Sequence, residues 1–210
     1  MKSALLYIGM LLGASCTALP DGAKLQTGDL LFQCGAGAMS TAITDATGRA
    51  ERINYTHVGI VLHRKGADSV LEATPEAGVR IVALADFLAA SARIEWGPAV
   101  TAMRLRDTSG VAASVERARR QLGAPYDYWF LPDNGCYYCS ELVCDHYLRP
   151  DGTSIFQTRP MNFRAADGTM PRYWEELFAR LGEPVPEGVA GSNPNDLTQE
   201  PALYEVFRWF

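Results

Sequence analysis

Between Tyr55 and Val82 three short runs rich in β-branched residues follow one another, with connections too short to hold a helix. They are Tyr55 to His63, Ser69 to Ala73, and Gly78 to Val82. A parallel pair of strands needs a crossover of a dozen or more residues. The connections here are the stretch Arg64 to Ser69 and the turn Pro75-Glu76-Ala77, so neighbouring strands are expected to run antiparallel.

The flanks read differently. Thr27-Gly28-Asp29 is a turn leading into the apolar run Leu30 to Cys34, and Ala99 to Leu105 is a further strand. Met39, Ala42 and Ile43 mark a short helix within residues 35–52, and Ala83 to Ala92 is helical. Val111, Val115, Ala118 and Leu122 recur at helical spacing, and Gly123 stops that helix. Residues 124–138 form a loop crowded with aromatic rings. Residues 139–148 and 170–181 are helical, the latter carrying Trp174, Leu177, Phe178 and Leu181. A tail rich in Pro, Gly and Asn covers 182–202, and Tyr204 to Phe210 is a last strand. The pattern is α+β, with antiparallel strands in the middle and helices at both ends. With 210 residues, 48% of them hydrophobic, the chain can bury one substantial core.

Net charge is −5 and the sequence pI about 5.2, and no Lys/Arg run is visible, which argues against nucleic acid as a partner. The first residues read as a targeting segment: Lys2 is a short positive region, Ala4 to Ala14 an apolar run, and Gly13, Ala14 and Ser15 are small. Such a run is too short for a permanent bilayer span. Residues 1–18 are therefore expected to be a secretory or lipoprotein signal, and 19–210 a single domain. Cys16 directly follows Gly-Ala-Ser, as in a bacterial lipoprotein cleavage box, although Gly13 stands where Leu is usual. The expectation is a secreted, periplasmic or cell-envelope protein, with membrane attachment through Cys16 as one option. Oligomeric state is not legible.

The chemistry concentrates at Cys139. It opens a helix, where unpaired N–H groups and the helix dipole favour a thiolate. A buried, inert cysteine would read the same way from this segment alone. A nucleophilic thiolate needs an imidazole base, and that base needs a polar group to orient it. Of the three histidines, His57 projects from a strand whose Gly59 allows close approach on the same face. His63 stands beside Arg64 and Lys65 and should face solvent. His146 lies on the Cys139 helix two turns away, roughly 10 Å, too far for direct pairing. Glu72 sits among apolar residues on the neighbouring strand, where it could lie across from His57 and hold its tautomer. Asp127 and Glu141 compete for that role. Asp29, after Gly28, reads as turn chemistry.

Four segments together resemble the circularly permuted branch of the NlpC-type papain-like amidases, the YaeF/YiiX-like enzymes. They are Gly28-Asp29-Leu30-Leu31-Phe32; His57-Val58-Gly59-Ile60-Val61; Leu71-Glu72-Ala73 with Gly78-Val79; and Tyr126-Asp127-Tyr128 leading to Tyr138-Cys139-Ser140-Glu141-Leu142. The resemblance spans residues 28 to about 145, and the His-before-Cys order is the mark of the permuted branch. It implies a papain-like fold, a central antiparallel sheet or small barrel packed against helices. It also implies Cys139 as nucleophile, His57 as base, Glu72 as orienter and Tyr138 as a contributor to the oxyanion site. The expected activity is a cysteine amidase or peptidase that forms a thioacyl-enzyme on cell-envelope peptides, with no cofactor and no metal. An acyl-lipid hydrolase or acyltransferase, or a non-catalytic binding module, would use the same fold; the substrate is thus a small peptide or an acyl compound. Cys136 departs from the family pattern and admits a regulatory disulfide or a redox pair with Cys139.

A second pattern runs through the same segment. Cys136, Cys139, Cys144 and His146 have soft-ligand spacing for zinc. Cys139 and Cys144, however, would point about 140° apart on an intact helix. The aromatic loop could equally be a binding platform, although six rings cannot all be exposed on a soluble monomer.

Overall fold

The structure is a computed structural model that describes residues 24–50 and 52–210. The targeting segment, Cys16 and the lipidation expected there lie outside the described residues. In chain order the elements are β1 (Leu30–Gln33), α1 (Ala38–Thr47), β2 (His57–Leu62), β3 (Ser69–Thr74), β4 (Gly78–Ala83), α2 (Leu84–Ala89), β5 (Arg93–Ile94), β6 (Gly97–Pro98), β7 (Val100–Leu105), α3 (Val111–Arg119), α4 (Cys139–His146), β8 (Arg159–Pro160), α5 (Arg172–Leu181), β9 (Ala190–Gly191), α6 (Pro194–Leu197) and β10 (Leu203–Arg208).

Six strands make one antiparallel sheet in the order β10-β7-β1-β2-β3-β4, so the expected mixed fold with a central antiparallel sheet is present. β5–β6 and β8–β9 form small two-stranded sheets of their own. Alternation along the strands separates two cores. Leu30, Phe32, Val58, Ile60 and Leu71 face α3, α4 and α5 in the larger core, which holds Tyr147, Phe156 and Trp174. Leu31, Val61, Val70 and Ala102 face the smaller core closed by Phe87 and Leu88 of α2.

Two glycines are fixed by geometry. Gly28 has φ 92°, and a Cβ there would sit 2.1 Å from Val111 Cγ1, so α3 closes onto this turn. A Cβ on Gly59 would lie 2.4 Å from Val70 Cγ1 and 3.0 Å from Phe87 Cε2; its absence lets α2 press onto the sheet. Asp29 in the same turn as Gly28 is buried and structural: it accepts from Gln26 N–H and pairs with Arg104 at 2.6 Å.

Sequence reading missed the short pairings. The stretch after α2 folds into the β5–β6 hairpin, and the tail contains β9 and α6, whose Asn193 caps the helix by accepting from Asp196 N–H at 2.9 Å. Two-residue strands carry no usable periodicity. The helix expected to reach Leu122 ends at Arg119, and the chain continues through turns to Gly123, whose φ is 86°. No helix among the described residues is long and apolar enough to cross a membrane.

Candidate active site

His57 is the first residue of β2 and pairs in register with Gln33, the last of β1, so it stands at the end of the sheet. α4 packs over β2 and β3 and begins with Cys139 close to that end. Tyr138, with extended backbone, is the residue that turns the chain into the helix. Glu141 accepts the Tyr138 N–H at 3.2 Å, satisfying one donor that the helix start leaves free.

The His57 ring lies between two side chains. His57 Nε2 and Glu72 Oε2 are 2.8 Å apart, with the His57 side chain 16% exposed and that of Glu72 5%. Cys139 faces the same ring. Desolvation alone would lower the His57 pKa, but hydrogen bonding to Cys139 and to Glu72, with their charges, raises it from 6.5 to about 10. Burial likewise works against the Glu72 carboxylate, yet its bonds to His57 and Arg80 leave it below its ordinary value of 4.5. Arg80 stands directly opposite Glu72 in the β3–β4 register and gives Nε and Nη2 to Oε1, each at 2.9 Å. Both oxygens of Glu72 are thus engaged, which fixes the carboxylate that holds His57.

The competing acids have other work. Asp127 is fully buried and accepts from the N–H groups of Trp129 and Leu131, each at 2.9 Å, on either side of Phe130. Phe130 has φ 53°, an uncommon conformation for a bulky residue, and Asp127 bridles it from both flanks. The aromatic loop is thereby pinned. Glu141 caps α4, and burial first, then the nearby carboxylates of Asp127, Asp145 and Asp133, push its pKa up to about 8.

Tyr138 is buried beside Cys139; its hydroxyl accepts from Ser192 N–H at 3.1 Å, which ties the β9 tail to the start of α4, and donates to the Met161 thioether at 3.9 Å. Tyr126, part of a family segment to which the sequence assigned no role, also shares a cavity wall with Cys139. Its hydroxyl has the Met39 thioether at 3.7 Å, a weak acceptor, and burial followed by the Cys139 charge pushes its pKa well above 10. The remaining histidines are as expected: His63 is exposed and bonds Asp68 at 2.6 Å, and His146 is buried with Nδ1 2.9 Å from Leu142 O.

Cys34, Cys136, Cys139 and Cys144 are free thiols, so Cys136 is not bonded to Cys139. α4 runs unbroken from Cys139 to His146, which keeps the zinc-spaced cysteines apart. Among the described residues no group of three or more His, Cys, Asp or Glu side chains is placed to hold a metal ion.

Two cavities meet at Cys139, sharing Ile43, Tyr126 and Cys139 as a common wall. One, about 870 Å³ with its mouth, contains His57 and is charged, with Glu72, Glu76, Arg80 and Asp86 on its walls. The other, about 510 Å³ with its mouth, is walled by Phe130, Tyr138, Met161, Phe163 and Trp174 and has no charged side chain on its walls.

Comparison with known proteins places the chain in a family. The family model described as permuted papain-like amidase enzyme, YaeF/YiiX, C92 family, matches residues 24–207. The protein described as uncharacterized protein YiiX from Escherichia coli (strain K12) is 26% identical over 213 residues, covering 98% of this chain and 96% of that one. The crystal structure of the metalloprotein yiiX from Escherichia coli O157:H7 superposes with a TM-score of 0.69 at 25% identity, covering 88% of this chain and 98% of that one. The chain belongs to the permuted papain-like amidase family, and at that level it is a cysteine hydrolase.

Proposed function

We propose that this member of the permuted papain-like amidases hydrolyses an acyl bond, an amide or an activated ester, through a thioacyl-enzyme on Cys139. The observation that carries the reading is the His57 ring held between Cys139 and a Glu72 that Arg80 fixes in turn. His57 takes the proton of the thiol, and the sulfur attacks the carbonyl carbon. The carbonyl oxygen becomes an oxyanion. The Cys139 backbone N–H at the start of α4 is one donor to it, and the Tyr126 hydroxyl, spent only on a thioether, is the second. His57 then protonates the leaving group, and water deprotonated by His57 releases the acid. Glu72 stays ionised throughout and keeps the imidazolium aligned. Tyr138 anchors the β9 tail by accepting from Ser192 N–H, and its own hydroxyl proton, directed only at the Met161 thioether at 3.9 Å, is a further donor available to the oxyanion.

The apolar segment ahead of Cys16 supports substrates of the cell envelope, with the mature chain secreted, periplasmic or lipid-anchored. The relative described as a metalloprotein raises the question of a metal here. In this chain both Glu72 oxygens are already taken, and no suitable donor group is gathered among the described residues, so the donor set does not fit one and no step is routed through it.

The test is release of amine from N-acyl 4-nitroanilides and from muropeptides by the purified protein. Turnover by the wild type and none by Cys139→Ala is expected; equal turnover by both overturns the reading.

A further inference from the structure

Apart from the reacting Cys139, the His57 imidazole has one hydrogen-bond partner among the described residues, Glu72 at Nε2. A single bond at one edge leaves the ring free to tilt about that contact unless its face is also held. The face is covered by Phe87 of α2, whose ring lies 5.7 Å from that of His57 between centroids, at 33°. Phe87 in turn is held by Gln33. This residue ends β1 directly opposite His57 in the β1–β2 register, so the two side chains stand next to each other on one face of the sheet. Gln33 is 5% exposed, and its Nε2 donates to the backbone carbonyl of Phe87 at 2.6 Å, across 54 residues of sequence. We infer that Gln33 is a positioning residue for the reaction: through the Phe87 carbonyl it fixes α2, so that the Phe87 ring keeps His57 aimed at Cys139. This rests on the proposed role of His57 as the base of Cys139.

The shape of α2 explains why a donor is required at position 33. The helix has six residues, Leu84–Ala89, and the backbone bonds that close it are irregular. The Ala90 N–H returns to Asp86 O at 3.1 Å and the Ser91 N–H to Leu88 O at 3.3 Å. Both pass over the Phe87 carbonyl, one of the acceptors that a helix end leaves without a backbone donor. A buried carbonyl in that state is costly, and the Gln33 amide supplies its partner. An apolar side chain of the same length would fill the same space but leave the carbonyl unpaired, and the end of α2 would lose this tie to β1. Gly59 completes the support, since a Cβ there would lie 3.0 Å from Phe87 Cε2. Glu72 thus sets where Nε2 points, and Phe87 sets the plane of the ring. The titratable and charged groups around that ring are Glu72 of β3, Arg80 of β4 and Cys139 of α4, with Glu76 and Asp86 on the same cavity wall. The neutral Gln33 amide adds no charge to them, so its influence on His57 is geometric.

The test is the pH profile of Cys139 alkylation by iodoacetamide, read by peptide mapping in the wild type, Gln33→Met and Phe87→Leu. Alkylation follows the thiolate that His57 stabilises and requires no bound substrate, so a Gln33 that touched only substrate would leave the profile unmoved. Gln33→Met has no donor for the carbonyl, whereas Phe87→Leu keeps the carbonyl and removes the ring. Both should move the midpoint of the profile to higher pH and lower kcat on an N-acyl 4-nitroanilide about 10- to 100-fold, with KM changed far less. The double variant should be no worse than Phe87→Leu, because both changes act through one ring. A lower melting temperature with an unmoved profile in Gln33→Met makes Gln33 merely structural and overturns the inference, as do effects that add in the double variant. Should Gln33→Met fail to fold, Phe87→Leu decides: a profile moved to higher pH supports the inference, and an unmoved one overturns it. Wild-type Cys139 alkylated no faster than Cys34 or Cys144 overturns the nucleophile assignment itself, which separates that failure from this one.

Discussion

Glu72 reaches His57 along a diagonal of the sheet, not straight across it. The β2–β3 register pairs Ile60 with Leu71, so one further step places Gly59 opposite Glu72, with His57 two residues along on the same face. The carboxylate nonetheless lies 2.8 Å from the imidazole. Gly59 contributes by leaving room for Phe87, whose ring packs against His57 with centroids 5.7 Å apart. The ring is therefore held by a hydrogen bond at one edge and by an apolar contact at its face.

Because Glu72 aligns and charges His57, Glu72→Gln should fold and yet turn over about 10²–10⁴-fold more slowly, as when other orienting carboxylates are neutralised. Steady-state kcat/KM read beside a thermal melt checks this. A fully active Glu72→Gln would remove the orienting role from Glu72 without touching the Cys139–His57 pair.

The same contacts set a pH window for stability. His57 binds its proton more tightly in the folded chain than at its ordinary 6.5, so its contribution is full below that pH and fades as pH climbs toward 10. Glu72 is held below its ordinary 4.5, so its contribution is full above that pH and fades as pH falls. The excess stability of wild type over His57→Gln should peak between about pH 4.5 and 6.5. Denaturant unfolding across pH 3 to 10 measures it; an excess that grows steadily up to pH 10 contradicts the assignment.

Asp127→Ala should act on the fold around Phe130. It leaves two backbone N–H groups without partners beside a left-handed Phe130, at a cost of about 1–3 kcal/mol. Chemical denaturation gives the number, and a change below about 0.5 kcal/mol would show that the loop holds itself.

Thiol reactivity should separate the cysteines. Burial raises the Cys34 pKa to about 11 and that of Cys144 to about 12, so both should resist iodoacetamide at neutral pH. Cys139, facing His57, should be alkylated well ahead of them, and His57→Gln should slow that labelling. Peptide mapping that finds the three labelled at equal rates counts against an activated Cys139.

The residues that carry chemistry were legible where local pattern and short connections constrain the chain. Two tight connections made β2, β3 and β4 antiparallel neighbours, and that alone brought Glu72 close to His57. Arg80 was also within reach of this logic: a turn closing on Thr74 and Gly78 places residue 80 opposite residue 72. The part played by Asp127 was hidden, because an acid in an aromatic loop reads as exposed until the two N–H groups it satisfies are placed by the fold. Tyr126 was hidden for the same reason. Six neighbouring rings look alike in sequence, and only packing decides which hydroxyls keep a proton to give, as those of Tyr126 and Tyr138 do, each with only a thioether as acceptor. The division of the cleft into charged and uncharged halves depends on the tail returning past α4, which no local signal announces.

The central claim is a covalent acyl group on Cys139, and intact-mass measurement of enzyme quenched during turnover of octanoyl p-nitrophenyl ester tests it most directly. The account predicts one adduct with the mass of an octanoyl group, mapped to the peptide bearing Cys139, decaying as octanoate is released and missing from Cys139→Ala. Turnover with no adduct at Cys139, or an adduct and turnover that persist in Cys139→Ala, would contradict it.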